Sequence, residues 1–177
     1  ARKKGCGLEA SAAYMSLANH LLTQGESGYA EALLCTAECL ERSDRQDHES
    51  LCDIYATLAL YHYDTGESDD ALRYAALADA QRKYLYEFPW TSYTHWQVAT
   101  VRAGLSDNPR QRFRELYDRA TAMELPPQIM DLGERLMYMA LEEGDIMKAE
   151  EYLSASFAFY SMNPAEYGGH DFANEYL

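Results

Sequence analysis

Runs of valine and isoleucine, the usual mark of strands, are almost absent from this 177-residue chain; Ala, Leu, Glu and Tyr dominate instead. Strands favour β-branched side chains, so the shortage argues against a sheet and for helices. Prolines number five and glycines ten, and most fall between helical segments. No stretch approaches the roughly 18 to 20 apolar residues that cross a bilayer. The basic start Arg2-Lys3-Lys4 has no apolar run behind it, so neither a membrane span nor a signal peptide is expected. The first residue is Ala1 rather than an initiator methionine, which suggests a processed protein or a segment of a larger one.

Positive charge is also scarce. Fifteen basic residues face 29 acidic ones, for a formal net charge of -14. Such a field repels phosphates, so direct nucleic-acid binding is not expected, while a basic peptide or protein surface is attracted. Catalytic signatures are missing as well: there is no His-Glu-x-x-His pair, no Gly-rich phosphate cradle and no Gly-x-Ser-x-Gly elbow. His20, His48, His62, His95 and His170 are scattered, none with a second histidine at ligand spacing. The expectation is a protein that is not an enzyme and uses no cofactor or metal. His48, between Asp47 and Glu49 near a helix start, reads as a solvated surface group. Cys6, Cys35, Cys39 and Cys52 lack the Cys-x-x-Cys pairs of a zinc site. Cys35 and Cys39 lie four apart on a predicted helix, so they share a face and act as small packing groups. Thiols without a disulfide pattern favour a cytoplasmic location.

What is present is a helical period. With 47% hydrophobic and 25% charged residues, the chain suits one folded domain. Apolar residues recur at three- and four-residue steps in eight segments, predicting helices at about 9–24, 28–42, 48–64, 68–86, 91–105, 109–124, 128–143 and 146–160. Gly25-Glu26-Ser27, Gly66-Glu67-Ser68, Ser106-Asp107-Asn108-Pro109 and Gly144-Asp145 divide these segments. Glycine closes a helix in the left-handed conformation, and Ser or Asp caps the next one. Pro109 fits a first helical turn. Pro126-Pro127 is expected to break the chain between the sixth and seventh helices.

Gly25, Gly66, Asn108 and Gly144 stand 41, 42 and 36 residues apart, a spacing that signals a helical repeat array. Short loops make successive helices antiparallel, giving hairpins at about 9–42, 48–86, 91–124 and 128–160. After three of the turns the chemistry repeats. Ala30, Ala71 and Ala149 follow the glycine by five residues, and Ala37, Ala78 and Ser156 come seven later. Small residues there let two helix backbones approach. Leu17-Ala18, Leu58-Ala59 and Leu136-Met137 precede the glycines and supply apolar surface to the same seam.

This pattern resembles the tetratricopeptide repeat in a longer-period form. Leu58 to Ala78 is the best match, and Leu136 to Ser156 the next. The third hairpin departs: Asn108 replaces the turn glycine and Phe113 stands where alanine belongs, although Ala120 fits. His62 and Gly104 stand where the family often has tyrosine. The resemblance implies an all-α, right-handed solenoid of about four antiparallel hairpins over residues 9–160, with 161–177 as a C-terminal capping segment. It also implies a concave groove lined by the first helix of each hairpin. Met15, Asn19, Asp53, Leu60, Tyr63, His95, Arg102, Glu134 and Tyr138 would face it, with Trp96 joining if the third hairpin is one residue out of register.

The stretch from Tyr84 to Trp96 is the most aromatic in the chain and reads as filler between the second and third hairpins, with a stacking pocket as its alternative. Taken together, the expected role is a non-catalytic scaffold holding a protein or peptide, and a basic one by charge. The alternative is a signal-sensing input domain of a larger transcription regulator or sensor. An exposed end of the array would favour a homodimer.

Overall fold

The computed structural model describes residues 13–18, 21, 28–41, 47–85 and 93–162. All regular structure among them is helical. Residues 13–18 are helical, and seven longer helices follow. These are α1 (Tyr29–Glu41), α2 (His48–Asp64), α3 (Ser68–Arg82), α4 (Tyr93–Gly104), α5 (Pro109–Ala122), α6 (Pro126–Glu142) and α7 (Ile146–Met162). No helix among the described residues is long and apolar enough to cross a membrane. The chain divides into two compact units, Ala1–Leu105 and Ser106–Leu177. The division falls inside the third expected hairpin, between α4 and α5.

Local chemistry explains where the helices start and stop. An Asp47 carboxylate oxygen accepts from the Ser50 N–H at 3.1 Å and caps α2. Asn108 caps α5 through the Gln111 N–H, with Pro109 in the first turn as expected. Asp145 accepts from the Lys148 N–H at 3.0 Å at the start of α7. The second break departs from expectation: Glu67, not Ser68, is the cap residue, and its carboxylate makes no capping bond. Pro126-Pro127 also differs, because it opens α6 rather than lying between helices. The first turn of a helix has no use for those two N–H groups.

Three ends share one geometry. Gly66, Glu124 and Gly144 have φ of +84°, +53° and +76°, and the N–H groups at and just after them bond back to carbonyls of the last helical turn. Two glycines suit that conformation. Glu124 bears a side chain there, which costs about 1 kcal/mol. The break at Gly25 lies outside the described residues.

In the first unit, α2 and α3 form an antiparallel hairpin. Leu51, Cys52, Leu58 and Ala59 face Ala71, Tyr74, Ala75 and Ala78 in a continuous buried cluster. Ala71 and Ala78, the small positions of the repeat pattern, are buried as expected, and so is Ala37 on α1. The Cys52 thiol donates to the Ala78 carbonyl at 3.4 Å, and burial pushes that thiol up to about 11. Cys35 and Cys39 are both half-buried on α1, in keeping with packing roles. Helix α2 is the hub of this unit, touching α1, α3 and α4.

In the second unit, α6 packs against both α5 and α7. Ile129, Leu132, Leu136 and Ala140 form its buried stripe at three- and four-residue steps. Phe113, where the repeat pattern places alanine, is fully buried, and Ala120 one face along is buried too. Gly133 is a close-approach site: a β-carbon there would stand 2.7 Å from Ser156 Oγ. Small residues at 133 and 156 therefore let α6 and α7 meet.

Candidate functional site

The seam between α2 and α4 shows the period directly. The Thr94 hydroxyl donates to the Asp53 carboxylate. Gln97 Nε2 donates to Thr57 Oγ1 at 3.4 Å. The Tyr63 ring lies against Gly104, so close that a β-carbon on Gly104 would fall inside the ring's contact distance. Residue numbers on the two helices rise together along these pairs, each pair 40 or 41 apart, so α4 runs parallel to α2 in the register of the expected repeat. Counterpart positions of successive hairpins meet there.

This packing places the groove residues expected from sequence. Asp53 is exposed and Leu60 and Tyr63 are half-buried on α2. Asp53 and Tyr63 are occupied at the α4 seam. His95 and Arg102 turn to α3 instead: Arg102 pairs with Asp79, Arg82 reaches the same carboxylate at 3.6 Å, and Arg82 Nη1 lies 3.4 Å from His95 Nδ1. Trp96 is 3% exposed and belongs to the buried part of α4. The one-residue shift that would bring it to a groove is therefore not taken, because α4 buries Trp96 together with Thr94, Gln97, Val98 and Val101. Met15 is half-buried, and Asn19 lies outside the described residues. In the second unit Glu134 is half-buried and Tyr138 is 48% exposed, both on α6.

Sequence reasoning missed an apolar end of the α6–α7 hairpin. Tyr138 and Leu141 at the end of α6 and Ile146 and Met147 at the start of α7 are all exposed, Met147 by 82%. The turn between them is closed by the Gly144 and Asp145 N–H groups bonding back to Leu141 and Ala140. Glu142 and Asp145 are exposed beside these residues, so the apolar end carries an acidic margin. Glu143 on the same turn pairs with Arg110. Deeper in this unit, Arg114 Nη1 donates to the Tyr152 hydroxyl at 2.8 Å, a bond that raises the guanidinium's affinity for its proton.

A second cluster gathers at the α2–α3 turn. The His62 ring stacks on Tyr74 at 5.2 Å and 13°, and Tyr74 stacks in turn on Tyr55. His62 Nδ1 pairs with the Glu67 carboxylate. Asp70 pairs with Arg73 at 2.8 Å, and Arg73 lies over the Tyr74 ring with its centroid 4.4 Å away. Burial, then the hydrogen bond to Glu41, raises the Tyr55 phenol above its ordinary range. His48, expected to be solvated, stacks instead on Tyr84 at 4.2 Å and bonds Gln81. That contact is how the start of the aromatic stretch is used. Tyr93 and Trp96 are described at its other end, and residues 86–92 lie outside the described residues.

Comparison with protein-family models, with curated proteins and with solved structures found no match to this chain.

Proposed function

We propose that the chain is a non-catalytic helical-repeat scaffold of tetratricopeptide type that docks a basic, amphipathic peptide segment of a protein partner. The observation that supports it most is the parallel α2–α4 seam, in which side chains 40 or 41 residues apart bond to one another. Stacked hairpins of this kind present broad open faces rather than enclosed cavities. The buried polar groups of the seam bond to one another and so serve packing. The partner surface is then sought where apolar side chains remain exposed, at Tyr138, Leu141, Ile146 and Met147 beside Glu142 and Asp145. Aromatic and methionine side chains are enriched at interface centres, with charge at the rim. The net charge of -14 favours a basic partner.

The test is fluorescence anisotropy with labelled amphipathic Lys/Leu peptides, using Glu/Leu peptides of equal length as controls. Saturable binding of the basic series that weakens as salt rises supports the reading. Tyr138→Ser with Met147→Ser should weaken it by roughly ten-fold, since two exposed anchors are removed. Equal binding of both peptide series, or full affinity in the double variant, counts against it. Concentration-dependent sedimentation abolished by the same two changes would assign the surface to a homodimer instead.

A further inference from the structure

We propose that His62, Glu67 and Asp70 form a binding site for a first-row divalent transition-metal cation of the zinc class at the α2–α3 turn. One ligand atom from each of the three residues lies within 4.8 Å of the other two. A zinc-class ion holds nitrogen and oxygen ligands at about 2.0 to 2.2 Å, which puts neighbouring ligand atoms roughly 3.4 Å apart. Rotation of the two carboxylate side chains is enough to close the difference.

The backbone sets up the cluster. Gly66 takes the left-handed conformation, and the Glu67 N–H bonds to the His62 carbonyl at 2.7 Å. That turn folds residue 67 back onto residue 62. Asp70 stands three residues further along α3, on the same face as Glu67. The imidazole is held most firmly: its side chain is 12% exposed, and it is stacked on Tyr74 with Tyr61 edge-on. Nδ1 faces the carboxylates, whereas Nε2 is buried with no hydrogen-bond partner among the described residues. The ring therefore offers one nitrogen in a fixed direction, the pre-orientation a metal ligand needs. One imidazole and two carboxylates suit zinc-class ions better than calcium or magnesium, which prefer all-oxygen sets.

Arg73 is the built-in competitor, through its pair with Asp70. When a cation takes Asp70, the guanidinium keeps a place over Tyr74, where its Nη2 already donates to the phenol oxygen at 2.9 Å. The cation would tie the end of α2 to the start of α3 and so brace the hairpin.

Calorimetric titration of the full chain with ZnCl2, repeated by Co2+ absorption, tests the site. Glu67 is mostly exposed, so Glu67→Gln leaves packing intact; it should weaken one saturable site roughly ten-fold or more, and His62→Gln likewise. Arg73→Gln should tighten the site several-fold by releasing Asp70. An excess of Ca2+ should not displace zinc. If zinc binds Glu67→Gln within about two-fold of the original affinity, the ion sits elsewhere, the cysteines included, and the assignment fails. Absence of saturable binding to the unaltered chain, or displacement by equimolar Ca2+, overturns it equally. None of these outcomes bears on peptide docking at the α6–α7 end.

Discussion

The ring of Tyr63 rests on the backbone of Gly104, where a single added methyl group would stand closer than 3.0 Å to three of its atoms. Gly104→Ala should therefore push the phenol out of the α2–α4 seam and destabilise the protein by about 1 to 2 kcal/mol. In a Tyr63→Ala background the same change should be neutral or stabilising by up to about 1 kcal/mol, because alanine is the better helix former. A double-mutant cycle in urea reads this reversal of sign, and additive effects would show that the two residues do not meet.

The left-handed helix ends give opposite expectations for one conformation. Gly66 has open space around it but φ of +84°, so Gly66→Ala should cost about 1 kcal/mol through backbone strain alone. Glu124 already carries that strain at φ +53°. Glu124→Gly should accordingly stabilise the protein by several tenths to about 1 kcal/mol, partly offset by greater freedom in the unfolded chain. Chemical denaturation of both variants checks the pair.

Alkaline pH should unfold the protein earlier than its carboxylates suggest. Burial and the Glu41 carboxylate raise the folded-state Tyr55 phenol, and burial raises the Cys52 thiol from 9.0 to about 11. A raised folded value means the folded state keeps protons that the unfolded state releases. This contribution is fully present below pH 9, is lost first through Cys52 between 9 and about 11, and falls further through Tyr55 above 10. Urea midpoints should drop between pH 8.5 and pH 10.5, and Tyr55→Phe should flatten part of that drop.

Thiol reactivity should be graded in the same way. Cys52 is buried and bonded to the Ala78 carbonyl, whereas Cys35 and Cys39 are half-buried on α1. Under native conditions at pH 8, iodoacetamide should label Cys35 and Cys39 well before Cys52. Peptide mass mapping over time gives the order, and early labelling of Cys52 would contradict its place in the hairpin.

Much of the helical layout was legible because its signals are local. The starts of α2, α3, α5 and α7 match the residues read from caps and periodicity, since an N-cap acts within one turn. The prolines before α6 were misplaced because the same residue type serves as a breaker and as a first-turn residue. What could not be read was pairing between helices. Nothing in the spacing of His48 says that Tyr84 will stack on it, or that His95 and Arg102 will turn toward Asp79 and Arg82 rather than to open surface. Those contacts depend on how α4 rotates about its own axis against α3. The apolar end at Ile146 and Met147 was visible as a helix start, but its exposure depends on what packs over it.

The α2–α4 seam also constrains how this chain can change in length. Asp53 and Thr94 sit one period apart and bond to each other, as do Thr57 and Gln97 at 40 residues. A seam built from counterparts works like a zipper with identical teeth. Removing or duplicating a whole hairpin brings a new counterpart to each tooth, whereas a shift of one or two residues rotates the next helix by about 100° per residue and mismatches every tooth at once. Growth and loss in this unit should therefore come in steps of about 41 residues, the period of the array.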